Sequence, residues 1–157
     1  MGALVVLYGL ATTSAFFQGG LLPGHLEMNA RAAAALLGLL SVEAAASGNL
    51  VGLAGFRLEV VRGCDALDAG AFFSAAVVAF PAPLLRKAAG VAAGFAALLA
   101  INVVRIALLC VVGSWRPDLF RVVHVEVGQV SFVLCAFLLW VAWARWAASP
   151  RTVPRPA

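Results

Sequence analysis

The sequence has little charge. Only 11% of its 157 residues are Asp, Glu, Lys or Arg, while 64% are hydrophobic. A water-soluble domain of this length needs a larger polar share to cover its surface. The shortage excludes an ordinary soluble fold and assigns the chain to the membrane, as one domain over residues 1–147. Cysteine is also scarce. There are three, an odd number, with no Cys-x-x-Cys pair and no Cys/His ligand spacing, so neither a disulfide framework nor a zinc site is expected. The metalloprotease His-Glu-x-x-His, the phosphate-binding P-loop, the Gly-x-Ser-x-Gly elbow and the Gly-rich dinucleotide fingerprint are all missing. A metal enzyme and a nucleotide-driven pump are thereby disfavoured, and no cofactor is expected. The first apolar run has no basic region before it and no cleavage site after it, so no cleavable signal peptide is expected. The formal net charge of +4 is assigned to Lys and Arg flanking membrane spans, and nucleic acid is not an expected partner.

What is present is a series of apolar runs. Residues 3–22 are about as long as a bilayer demands and are closed by Pro23-Gly24. Residues 29–47 read as an Ala-rich helix with Asn29 as N-cap and Gly48 at its end, either spanning or lying in the interface. From Phe56 to Val61 the pattern alternates with a period of two, which indicates a strand, and Gly52 and Gly55 supply the turn of a short hairpin. Three apolar helices follow over residues 67–83, 88–112 and 123–147. A tight Pro81 to Lys87 link joins the first two, and a loop over residues 113–122 joins the last two. The tail, residues 148–157, is Pro- and Arg-bearing and is expected to be disordered. The fold class is an all-α integral membrane bundle of four to five spans, with a β-hairpin before the third long helix.

Span parity then carries a functional argument. Cys64 precedes the helix that begins near Leu67, and two spans later the 113–122 loop returns to the same side. Arg105 approaches that loop and His124 follows it, so a thiol, a guanidinium and an imidazole share one membrane face. Asn102 lies three residues before Arg105, on the same face of the helix. A guanidinium within a span is costly and marks a polar site or an ion pair between helices. Cys64, in Arg62-Gly63-Cys64-Asp65, is placed at a helix start, where backbone N–H groups and a nearby cation favour a thiolate. Asp65 and Asp68 act against this unless their carboxylates cap the helix. His124 is the candidate general acid and base. His25, Cys110 and Cys135 are read as structural, and Ser74 as a residue that satisfies a backbone carbonyl.

In their order these residues resemble a known family. Over roughly residues 56–146 a strand ends in Arg-Gly-Cys64, and a span ends in Ala79-Phe80-Pro81-Ala82 before a basic turn. A later span carries Asn102-Val103-Val104-Arg105-Ile106, and His124 follows with Gln129 five residues on. The set is similar to the exosortase/archaeosortase family, closest to its short exosortase H type. One departure stands out. Family members commonly follow the cysteine with a small polar residue and glycine, where this chain reads Asp65-Ala66.

The resemblance implies a cysteine transpeptidase in the bacterial inner (plasma) membrane, with its active site towards the external face. The implied partner is an exported protein ending in a short motif, a transmembrane sorting-signal helix and a basic cluster, met within membrane lipid. The enzyme would cleave at the motif through a Cys64 thioester and pass the new C-terminus to a surface acceptor. Catalysis falls on Cys64, Arg105 and His124, with Asn102 orienting Arg105 or the substrate. Two alternatives stand beside this: a peptidase that only hydrolyses, and a non-catalytic membrane scaffold subunit.

Overall fold

A computed structural model describes residues 8–10 and 12–149, so the tail beyond Ser149 and parts of the first apolar run lie outside the described residues. The first departure from expectation is at Pro23. Rather than closing a helix, it sits in the first turn of helix α1, Leu22–Leu39. A proline costs no hydrogen bond there, because the first N–H groups of a helix have no intrahelical acceptor. A wide π-turn over Phe17–Leu21 leads into it, with the Leu22 N–H reaching back to the Phe17 carbonyl. Asn29 is therefore an interior residue of α1 and not its N-cap.

Helix α1 also ends earlier than its composition suggests. Ser41 adopts φ +60°, its N–H bonds the Gly38 carbonyl, and the Val42 N–H bonds the Leu37 carbonyl, both at 3.0 Å. These paired bonds form a Schellman motif with serine in the left-handed position usually taken by glycine. The Ala-rich continuation, expected as helix, is strand β1 (Ala44–Ser47). It pairs antiparallel with β2 (Leu50–Leu53), which pairs antiparallel with β3 (Phe56–Glu59). The expected hairpin is thus two strands of a three-stranded sheet in the order β1-β2-β3. Gly52 lies within β2, and the β2–β3 turn is made by Ala54 and Gly55 at φ +48° and +84°. Two positive φ values in succession match the twist of a two-residue hairpin. Pairing with a neighbour has overridden the helix propensity of three alanines.

Helix α2, Leu67–Ala79, stops because Phe80 precedes Pro81 and takes an extended ψ of 139°. Pro83 then caps helix α3, Leu84–Trp115. The expected loop over residues 113–122 reduces to one residue, Arg116, held at φ −140°, ψ 73° before Pro117. Helix α4 follows at once, Pro117–Ala148, with a π-turn at Val122–Val127. Among the described residues, α3 and α4 are long and apolar enough to cross a membrane, at 32 residues each. A helix of that length extends about 48 Å, so both overreach a hydrocarbon core of about 30 Å. The 13-residue α2 is about 20 Å long and does not reach across by itself. Two membrane-capable helices account for part of the four to five spans expected. The chain is a mostly helical membrane protein with a small sheet.

Packing divides into two clusters. One joins α1, the sheet and the C-terminal part of α3, through Leu37, Val51, Val60 and Ile106. The other joins α2, the N-terminal part of α3 and α4, through Phe73, Val77, Leu98 and Trp143. The segment from Val60 to Ala66 runs between them and carries Cys64. At the other end of the bundle, Arg86 donates to the carbonyls of Trp146, Ala147 and Ser149, and Lys87 donates to Val78. These cations satisfy the last carbonyls of α4 and α2.

Candidate active site

The residue that matters most is held by an irregular backbone. Gly63 is at φ +90° and Ala66 at φ +66°, so the chain turns sharply on both sides of Cys64 and Asp65. The Cys64 N–H bonds the Val61 carbonyl at 2.9 Å. Helix α2 begins at Leu67, where it was expected, so Cys64 stands three residues before the first helical residue. The Leu67 N–H is taken by Asp65 Oδ1 at 3.1 Å; the carboxylate caps the helix, the arrangement in which its opposition to a thiolate is least. Asp68 accepts from the Tyr8 hydroxyl.

Three long-range placements complete the site. The Cys64 Sγ lies 3.7 Å from His124 Nε2, within reach of a sulfur hydrogen bond. His124 sits in the π-turn of α4. Its ring is stacked on Phe120 at 5.6 Å, and Phe120 in turn packs on Phe56 of β3 at 5.4 Å. The aromatic column ties the imidazole's orientation to the sheet. Wide turns of this kind are common at functional sites because they re-aim a side chain.

Arg105 reaches the same place from α3, nearly three turns before that helix ends at Trp115. Its guanidinium lies over Phe132 at 5.7 Å. Its Nε and Nη2 are buried and make no hydrogen bond among the described residues. Room for it comes from Gly128, where a Cβ would stand 3.2 Å from Arg105 Nε and 2.8 Å from the Val123 carbonyl oxygen. A narrow crevice is walled by Glu59, Cys64, Arg105 and His124. A cleft of about 220 Å³ beside it is lined by Asp65, Arg105 and Gln129, and an apolar cleft of about 230 Å³ between α3 and α4 has Arg105 in its wall.

The electrostatics differ from the activated thiolate expected. Burial pushes the Cys64 thiol up from its ordinary value, and the charge of Asp65 adds to this. The charge of the Arg105 guanidinium opposes both, but burial is the largest effect. The resting group at neutral pH is a thiol beside a base and a cation.

Of the four residues singled out in sequence, the structure brings Cys64, Arg105 and His124 together. It places Asn102 behind the nucleophile. Asn102 is fully buried, and its Nδ2 donates to the Cys64 carbonyl at 2.9 Å and to Asn29 Oδ1 at 3.1 Å. Asn29, buried on α1, donates to the His25 carbonyl at 3.0 Å. His25 Nε2 lies 2.9 Å from the Asp65 carbonyl oxygen. Asn29, Phe120 and Gly128 were missed in sequence. The four-residue spacing of Phe120 and His124 was the one available signal. Among the described residues no cluster of three His, Cys, Asp or Glu side chains forms a metal site. Ser74 donates to the Gly70 carbonyl at 2.7 Å, as expected.

A family model described as transmembrane exosortase, EpsH type, matches residues 3–141. The chain belongs to the exosortase family. No curated protein and no solved structure matches it. Exosortase membership makes this a membrane protein of the protein-sorting class and agrees with the family expected from the motif order. The departure at Asp65-Ala66 now has a physical meaning. In this exosortase the second residue after the cysteine is left-handed at φ +66°, a conformation glycine adopts without penalty and alanine does not.

Proposed function

We propose that this exosortase is a membrane cysteine transpeptidase that cleaves a C-terminal sorting signal through a thioester on Cys64. The observation that carries the reading is the 3.7 Å approach of Cys64 Sγ to His124 Nε2 beside the buried, unpaired N–H groups of Arg105. A nucleophile in reach of a base, with a fixed cation at hand, is the arrangement acyl transfer needs.

Because burial keeps the resting sulfur protonated, the proton leaves as the sulfur attacks. Nε2 of His124 accepts it while the Sγ–C bond forms at the scissile carbonyl. The oxyanion that develops is met by Nε and Nη2 of Arg105, which stay charged in a dry site. Collapse breaks the C–N bond. His124 returns its proton to the departing amine, leaving a thioester. An acceptor nucleophile then loses its proton to His124 and attacks the thioester, and the thiol is restored. The partner is an exported protein ending in a short motif, an apolar helix and a basic cluster. The site faces outward from the bacterial inner membrane, and the apolar cleft beside Arg105 lies open along α3 and α4 where a substrate helix would approach.

The test is processing of such an exported protein by the reconstituted enzyme. Cys64→Ala abolishes cleavage on this reading, and cleavage retained by that variant overturns it. The product separates transfer from hydrolysis: a C-terminus bearing the acceptor marks a transpeptidase, and a free carboxylate a peptidase.

A further inference from the structure

The proposed reaction uses the side chains of Cys64, Arg105 and His124. It leaves unexplained a set of buried polar groups on the other side of the nucleophile. Asn102 and Asn29 are 0% and 1% exposed, and burying an amide is costly unless its bonds are made; Asn102 Oδ1 has no partner among the described residues, while both N–H groups of its Nδ2 are used. The bonds they make converge on one short stretch of backbone. One N–H of Asn102 goes to the Cys64 carbonyl and the other to Asn29 Oδ1. That bond holds the Asn102 amide plane, and Asn29 is itself held by its bond to the His25 carbonyl one turn before it. The next carbonyl, that of Asp65, meets His25 Nε2 at 2.9 Å. Asn29 Nδ2 also lies 3.2 Å from this nitrogen, but the shorter contact to a carbonyl oxygen, which can only accept, places the N–H on Nε2, and Asn29 then donates to the His25 carbonyl alone.

Two successive carbonyls, of Cys64 and Asp65, are thus gripped by side chains from α3 and α1. In extended chain they would point in opposite directions; here, between the left-handed residues Gly63 and Ala66, both are held. We infer that Asn102, Asn29 and His25 form a positioning clamp, which fixes the Cys64 backbone so that its thiol stands between Arg105 and His124. On this view the spacing Asn102-x-x-Arg105 has one purpose. Residues three apart project from the same side of α3, so one helix grips the nucleophile's carbonyl with Asn102 and brings Arg105 into the crevice that holds its sulfur. Asn102 is a positioning residue and does not touch substrate. The inference rests on the proposed function for its purpose and on the hydrogen bonds for its existence.

The test measures coupling between the clamp and Arg105 by alkylation of Cys64 with iodoacetamide. It uses the full chain in detergent, with Cys64 resolved from Cys110 and Cys135 by peptide mass. In the wild type, Arg105→Gln slows alkylation at pH 7.5 by about tenfold, the loss of one favourable charge contact. In an Asn102→Ala background the sulfur no longer sits by Arg105, and the same substitution changes the rate by less than about twofold. His25→Ala, at a half-exposed position, is the fold-safe variant and shrinks the Arg105 effect in the same direction; Asn29→Ala does likewise. The full tenfold effect persisting in folded His25→Ala and Asn29→Ala proteins overturns the clamp.

Processing kinetics give the second readout. Asn102→Ala lowers kcat by about 100-fold, the scale of a misplaced reacting group, and leaves KM nearly unchanged. A raised KM with kcat intact assigns Asn102 to substrate binding and also overturns the clamp. If Cys64→Ala still processes substrate, the proposed function falls while the alkylation cycle still decides whether the clamp exists.

Discussion

Cys64 Sγ and His124 Nε2 lie 3.7 Å apart across a sequence separation of 60 residues. The contact joins the turn before α2 to the π-turn of α4, with Arg105 of α3 beside it. Its chemical character is set by burial, which raises the thiol above its ordinary value despite the Arg105 charge. The sign of the pH response follows. Alkylation of Cys64 requires the thiolate, so its rate climbs with pH and levels off later than for an ordinary exposed thiol. Arg105→Gln removes the influence that lowers the value and moves the profile further up. Asp65→Asn removes one that raises it and moves the profile down. A wild-type midpoint below that of a free cysteine peptide contradicts the account.

Ala66 gives a prediction about backbone strain. At φ +66° a non-glycine residue costs about 1–2 kcal/mol. Ala66→Gly relieves that strain but gives up a buried methyl, worth about 0.8 kcal/mol, and frees the unfolded chain by a similar amount. The changes nearly cancel, and stability shifts by less than about 1 kcal/mol. Ala66→Val has no such compensation, because a β-branched residue is an outlier there. It destabilises by about 2 kcal/mol or more and slows Cys64 alkylation by bending the turn. Thermal unfolding in detergent, alongside the alkylation rate, checks both.

How far the sequence carried this picture can be judged residue by residue. The convergence of Cys64, Arg105 and His124 was legible because two apolar helices run between Cys64 and the Arg116 turn and bring the chain back to the same end, although the first of them, at 13 residues, is shorter than the span expected. The strand at Phe56–Glu59 was legible from its period of two. Helix ends were not: Ser41 occupies a left-handed position that composition assigns to glycine, and Arg116 alone replaces a loop because Pro117 restricts it. The contribution of α1 was hidden for another reason. His25 meets a carbonyl 40 residues away and Asn29 accepts from an amide 73 residues away, and no local pattern encodes which distant group a buried polar side chain will meet. The setting of the Cys64 thiol was not legible, because burial, the largest influence on it, is a tertiary property, and Asp65 takes the Leu67 N–H at the helix start.

Arg86 supplies a control at the far end of the bundle. Its guanidinium donates to three carbonyls at the end of α4 and lies over Trp146 at 5.4 Å. Arg86→Ala leaves the last turn of α4 uncapped and costs about 1–2 kcal/mol. Cys64 belongs to the opposite end, so its alkylation rate stays within about twofold of wild type. Unfolding measured by loss of helical circular dichroism reports the first effect, and a change in alkylation matching that of Arg105→Gln contradicts the second.

Gly128 tests the link between packing and catalysis. It is the residue of α4 against which Arg105 lies, and an added Cβ would stand 2.8 Å from the Val123 carbonyl oxygen and 3.2 Å from Arg105 Nε. The carbonyl belongs to the π-turn that carries His124, so it can move only by shifting that residue. The guanidinium can retreat, at the expense of its place beside the sulfur. Either response separates groups that must act together within a few tenths of an ångström, and Gly128→Ala lowers processing by about 10- to 100-fold. The helix itself gains from the change, since alanine is the better helix former by about 1 kcal/mol, so the protein stays folded. Loss of processing in a variant whose melting point is unchanged ties the defect to geometry. Full processing by Gly128→Ala, with the alkylation profile of Cys64 also unmoved, shows instead that the position of Arg105 beside the sulfur is not what the reaction depends on.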